Sequence, residues 1–200
     1  MPTPALIRYP LCMTEGEALK IFRKTGALLE GHFVLRSGLH SRQFFQCAIA
    51  LQKMPIVEQL GEELANRVRD LGVMTVVAPA MGGLVIGQEV ARQLGARFVF
   101  LEKENGLLVL RRGYTIEANE KILIVEDVVT RGGRVQEAID IVNKYGGSLR
   151  AIAVLVDRSN GTFQPNAPLH SLLQMVVETF EPDNLPEDLR ETEAVKPGSN

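Results

Sequence analysis

The chain has 200 residues, 46% of them apolar and 23% charged, with a formal net charge of −2. This suits one folded domain with a small appendage and argues against wholesale disorder. The charge supplies no broad basic surface for nucleic acid, no apolar run approaches the ~20 residues of a membrane span, and no secretory signal pattern opens the chain. The two cysteines, Cys12 and Cys47, lack metal-ligand spacing and read as reduced and structural. A soluble cytoplasmic protein is the expectation.

In chain order, residues 1–13 contain prolines and read as an irregular arm. Thr14-Glu15-Gly16-Glu17 is a capping box, with the Thr14 hydroxyl accepting from the Glu17 amide and Glu17 reaching back. It opens a helix to about Thr25 with Ala18, Leu19 and Phe22 on one face. Residues 33–35 and 43–47 read as short strands around a turn at Ser37-Gly38. Pro55 can start a helix whose apolar positions Leu60, Leu64, Val68 and Leu71 end at Gly72. Residues 73–78 are a buried strand, followed by the loop Pro79-Ala80-Met81-Gly82-Gly83 and a helix to Leu94. A third strand spans 97–101 and leads into a polar segment that contains Lys103, Arg111 and Arg112.

The stretch 122–134 reads ILIVEDVVTRGGR. Four consecutive apolar residues, Ile122 to Val125, are too few for a helix and fit a strand buried on both faces of a parallel sheet. Two acids, Glu126 and Asp127, end the run, and a Gly turn opens a helix with Val135, Ile139 and Val142 on one face. Backbone amides at a helix N-terminus offer an anion site, and carboxylates at a strand's carboxyl end sit where open α/β sheets bind ligands. The combination suits a phosphorylated sugar. Neither a Walker loop nor a GxGxxG dinucleotide turn occurs. Residues 148–156 are a further strand ending in Asp157-Arg158, and His170 to Glu178 alternates weakly as an edge strand. The polar residues 180–200, with three prolines and no core pattern, are expected to form a loosely packed tail.

The strand, acid pair, two apolar residues, Thr and Gly of 122–134 resemble the PRPP-binding signature of type I phosphoribosyltransferases (PRPP is 5-phosphoribosyl-1-pyrophosphate). Arg134 departs, standing where a small hydroxyl residue is usual. Arg36, Ser37, Gly38, Ser41, Phe44 and Phe45 resemble, in order, the N-terminal motif of orotate phosphoribosyltransferases, and the resemblance covers residues 14–178. It implies an α/β fold with a parallel sheet, residues 51–178 forming the core and 1–50 the arm, helix and hood strands, with 179–200 as the tail. It also implies PRPP and orotate as substrates, no nucleic acid or membrane partner, and a homodimer.

The residue roles that follow are expectations. Glu126 and Asp127 would hold the ribose hydroxyls. Val128, Val129, Thr130, Arg131, Gly132, Gly133 and Arg134 would bind PRPP, largely through backbone amides. Arg36 and Lys103 would face the phosphates, with Lys103 and Asp127 the catalytic pair and Arg111 or Arg112 lending further charge. Phe44 or Phe45 would stack on orotate, with Thr130 beside it and Arg158 on its carboxylate, since a planar guanidinium can meet a carboxylate with two parallel hydrogen bonds. Mg²⁺ would enter on PRPP with no direct protein ligand. The loop at Met81-Gly82 lacks the Lys of many relatives, which leaves Gly82 and Gly83 amides for pyrophosphate. A transferase for another base and a non-catalytic PRPP sensor are the alternatives.

Overall fold

A computed structural model describes residues 13–35 and 37–197. The expected arm, Cys12 and Arg36 lie outside the described residues. Helix α1 (Glu15–Thr25) carries the expected capping box: the Thr14 amide donates to Glu17 Oε2 at 2.8 Å and the Glu17 amide to Thr14 Oγ1 at 3.3 Å. Strands β1 (Leu28–Val34) and β2 (His40–Phe45) then form a separate antiparallel hairpin, longer than the sequence signals because its polar residues carry no alternation. Cys47 opens the short helix α2 (Cys47–Leu51) rather than ending a strand, and α3 (Met54–Val68) follows with Pro55 in its first turn.

The main sheet has six strands in the order β5-β4-β3-β6-β7-β8. They are β3 (Thr75–Pro79), β4 (Arg97–Glu104), β5 (Leu107–Leu110), β6 (Lys121–Val129), β7 (Ser148–Asp157) and β8 (Leu169–Gln174). All neighbours run parallel except β5, which turns back on β4 as a hairpin at Asn105-Gly106 and so makes the sheet mixed. Helix α4 (Gly83–Leu94) joins β3 to β4, α5 (Gly133–Lys144) joins β6 to β7, and α6 (Glu187–Arg190) lies in the C-terminal segment. Each central strand feeds both layers. Leu123 and Val125 pack with Leu60, Leu64, Ile86 and Val90 on one face, while Ile122 and Ile124 pack with Val135, Ala138 and Val142 on the other. This two-sided burial is why Ile122 to Val125 show no alternation. No described helix is long and apolar enough to cross a membrane.

Two expectations change. Strand β6 does not stop at the acids but continues through Val128 and Val129, which pair with Val156 and Asp157. The C-terminal segment is not loose. Phe180 bridges His40 on one edge of the β1–β2 hairpin, Val195 bridges Phe33 on the other, and Leu189 is buried. Backbone pairing needs no hydrophobic period, so composition hid it.

Candidate active site

The site forms where β6 reaches the carboxyl edge of the sheet. Glu126 is 2% exposed; its Oε1 accepts from the Asp127 amide at 3.0 Å, while its buried Oε2 has no partner among the described residues. Burial, and then the neighbouring Asp127 charge, push the Glu126 carboxyl up to about 8. Asp127 is half-buried and accepts from the Val128 amide at 2.8 Å. The loop after β3 crosses directly over these acids. A Cβ at Gly82 would collide with the Asp127 carboxylate, and one at Gly83 would stand 2.7 Å from the Val125 carbonyl oxygen. Only glycine lets the two backbones approach this closely.

Beyond the acids, Gly132 turns the chain in the left-handed region at φ 76° and opens α5 with no side chain capping it. The first helical amides are thus left for an anion. Glu126, Asp127, Val128, Val129, Thr130, Gly132, Gly133, Arg134 and Val135 line a cavity of about 310 Å³. Most of the expected PRPP set is therefore gathered in one place. Arg131 is the exception, exposed and outside the lining. Val128 and Val129 turn their side chains into the core, which leaves only their backbones to a ligand. Arg134 does not exclude ligand by filling the cavity; it stands at its wall, and its charge pulls against the upward shift of Glu126.

Arg158 follows β7 at the same edge, its amide donating to the Val129 carbonyl at 2.8 Å. It is largely buried, its Nε has no partner among the described residues, and burial pulls its guanidinium below the ordinary range. Cys47 lies beneath, its Sγ 4.0 Å from the Asp127 carbonyl oxygen. Burial pushes the Cys47 thiol well up, with Asp127 and Glu126 adding to it. The ends of β2, β6 and β7 therefore converge, a tertiary fact without a local sequence signal. The same holds for Phe163, whose ring occupies the space where a Gly132 side chain would stand.

The aromatic pair divides as neighbouring strand residues must. Phe45 is 8% exposed and packs edge-on against Phe22, with ring centroids 4.9 Å apart, so the expectation that it could meet ligand is corrected. Phe44 stays half-exposed beside Phe33. Lys103 is exposed on the β4–β5 hairpin, opposite Leu108, and does not line the cavity. Arg111 and Arg112, expected as spare charge, are already engaged: Arg111 pairs with Glu104 at 2.8 Å, and Arg112 meets both oxygens of Glu102 at 2.7 and 2.8 Å.

Comparison with known proteins gives concordant results. A family model described as "Phosphoribosyl transferase domain" matches residues 49–183. The orotate phosphoribosyltransferase of Desulforamulus reducens is 49% identical over 94% of this chain and 98% of its own length. Among solved structures, an orotate phosphoribosyltransferase from Aeropyrum pernix matches with a TM-score of 0.67 at 24% identity, covering 78% of this chain and 92% of that one. An adenine phosphoribosyltransferase from Rhodothermus marinus matches at 0.65 and 20% identity, covering 80% and 99%. These structural likenesses establish the fold alone, because chains named for two different bases fit it almost equally well.

Proposed function

The chain belongs to the orotate phosphoribosyltransferase family, and from that premise we infer that it transfers the phosphoribosyl group of PRPP to N1 of orotate. The bond from ribose C1 to pyrophosphate breaks, a bond from C1 to N1 forms, and orotidine 5′-monophosphate and pyrophosphate leave. The observation that carries this reading is the shared cavity, where the carboxylates of Glu126 and Asp127 face ribose-sized space beside the uncapped amides of α5.

In this reading the Thr130–Arg134 backbone grips the 5′-phosphate and the two acids hold the ribose hydroxyls. Glu126, largely protonated near neutrality, can donate as well as accept. Positive charge develops at C1 and negative charge on pyrophosphate. Lys103 meets the departing anion once the β4–β5 hairpin closes, as does Arg36. Phe44 stacks on the base, and Arg158, whose Nε has no partner among the described residues, takes its carboxylate. Catalysis is then positioning and electrostatics, with no side-chain nucleophile.

No cluster of three or more metal-ligating side chains occurs among the described residues. The half-buried Asp127 carboxylate, with the orphaned Glu126 oxygen beside it to ionise should a cation arrive, nonetheless fits Mg²⁺ carried in on phosphates, the usual mode for this hard ion. When bound, Mg²⁺ would neutralise charge on the leaving group. A homodimer is part of the same proposal, because Met81 and Val85 leave apolar surface at the loop that crosses the acids. So is a cytoplasmic location, where both water-soluble anionic substrates would be met.

The test is loss of orotate absorbance with PRPP and Mg²⁺ present and each omitted in turn, beside a panel of other bases. Turnover that requires both and is confined to orotate is expected. Turnover of adenine instead, or PRPP binding in calorimetry with no turnover of any base, would overturn the reading.

A further inference from the structure

The β1–β2 hairpin shares no strand pairing with the main sheet, and a two-stranded hairpin alone is marginal in water. At its inner end it is anchored by Phe45 on Phe22 and by Cys47 beneath Asp127. Its outer end is held by the C-terminal segment, which closes both open edges. The Val34 amide donates to the Val195 carbonyl and the Val195 amide to the His32 carbonyl, each at 2.9 Å; Phe180 and His40 exchange a matching pair at 2.9 Å. Edge strands left open expose unpaired backbone groups, and here the chain's own tail covers them.

One side chain ties this arrangement together. Arg42 on β2 grips Asp188 through Nε at 2.7 Å and Nη2 at 2.8 Å, and reaches Glu178 through Nη1 at 2.9 Å. Its guanidinium also lies over the Phe180 ring, 4.7 Å from the centroid. A planar fork bound on both edges and one face is the arrangement that makes arginine irreplaceable by lysine. Arg42 and Phe44 are two residues apart on one strand and therefore share a face. The segment is not part of the core. Leu189 is its only buried side chain among the described residues, and a cavity of about 400 Å³ remains between it and the hairpin.

We propose that residues 178–195 act as a strap that sets the position of the base-binding hairpin, with Arg42 as the positioning residue that fastens it. The proposal rests on the reading of orotate as the base and of Phe44 as its stacking partner. Among the described residues no hydrogen bond or ion pair joins the strap to the lining of the phosphate cavity, so its release weakens base binding more than PRPP binding, to which the hairpin contributes Arg36 in the proposed reading.

Steady-state kinetics of the full chain and its R42A, D188A, R42A/D188A and R42K variants test this, together with hydrogen exchange at the Val34 and His40 amides. R42A should raise the KM for orotate roughly three- to tenfold while kcat and the KM for PRPP hold within about twofold. The double variant should be no worse than R42A, and R42K should recover only part of the loss. Both amides should exchange faster in R42A and D188A with the rest of the sheet unchanged. Equal changes in both KM values, or no change in either, would overturn the proposal. Unchanged amide exchange would overturn it whatever the base proves to be. Failure of the wild-type protein to consume orotate would instead strike the functional reading, and the exchange data would still decide the strap. Should R42A not fold, D188A carries the same comparison from the exposed side of the pair.

Discussion

Two buried glutamates stand six positions apart along one central strand, Glu120 just before β6 begins and Glu126 in its carboxyl-terminal half. Glu120, at the amino end, is fully partnered: it accepts from the Thr75 hydroxyl, from both the Glu117 amide at 2.8 Å and Arg97 Nη2 at 2.9 Å. Burial alone would raise its carboxyl, but those hydrogen bonds and the Arg97 charge overcome it and hold the group below the ordinary range. Glu126, nearer the carboxyl end, is more deeply buried, keeps an oxygen without a partner among the described residues, and is pushed up to about 8 by that burial and by Asp127. The first is a structural rivet. The second is held at a cost in stability that a polar partner supplied from outside the chain, a bound ligand or an ordered water, would offset. An unsatisfied buried carboxyl at a strand's carboxyl edge thus distinguishes the working end of this sheet from the end that merely closes it.

The largest test of that contrast lies beside Glu126. Asp127→Asn should lower kcat/KM by about a hundredfold or more, through loss of charged hydrogen bonds worth ~1.5–3 kcal/mol each, with the melting curve unchanged. Retention of near-wild-type turnover would remove Asp127 from the mechanism. Glu120→Gln should do the reverse, leaving turnover intact and costing about 1–3 kcal/mol, or roughly 3–10 °C in Tm by calorimetry.

Acid titration sharpens the comparison because the two groups carry opposite signs. Glu120 has a lowered folded pKa, so its contribution is present above the unfolded value of 4.5 and is lost as pH falls through the folded one. Glu126 has a raised folded pKa, so its contribution is whole below 4.5 and is lost as pH climbs from there towards about 8. Glu126→Gln should therefore stabilise the protein more at pH 8 than at pH 5 while slowing turnover. Glu120→Gln should destabilise it more at pH 7 than at pH 3. Parallel pH profiles for the two variants would mean that the ends of the strand do not differ as argued. The smallest effect is expected at Arg112, just past the β4–β5 hairpin. Arg112→Ala should change kcat and KM by less than about threefold, since that guanidinium is exposed and occupied by Glu102, whereas Lys103→Ala should cost roughly ten- to a hundredfold in kcat.

How much of this was legible depended on the kind of force involved. The strand at Ile122 to Val125, the capping box at Thr14 and the helical face of Val135, Ile139 and Val142 are local patterns, and the structure follows them. The acid pair and the Gly turn were legible because their chemistry is tied to a fixed spacing. Phe44 and Phe45 could not be told apart, since which of them faces the core depends on the hairpin's placement over α1. The tail was misread because backbone bridges and one buried Leu189 leave no periodic trace. The service of Gly82 was half-read: its amide was expected to matter, but the carboxylate pressed against its missing side chain is a contact between distant segments. Cys47 and Phe163 reach the site only through tertiary folding.

The contact between Gly132 and Phe163 has a consequence for anyone who would redesign the enzyme. The turn that is proposed to grip the phosphate and the segment that carries Arg158 share one wall, made of a glycine's absent side chain on one side and an aromatic ring on the other. Altering base preference by remodelling residues 158–163 would therefore disturb PRPP affinity too, even where no altered residue meets PRPP. Libraries that vary the two segments together should therefore recover more active clones than libraries that vary them separately, because under the proposed roles base specificity and phosphate affinity would be inherited together.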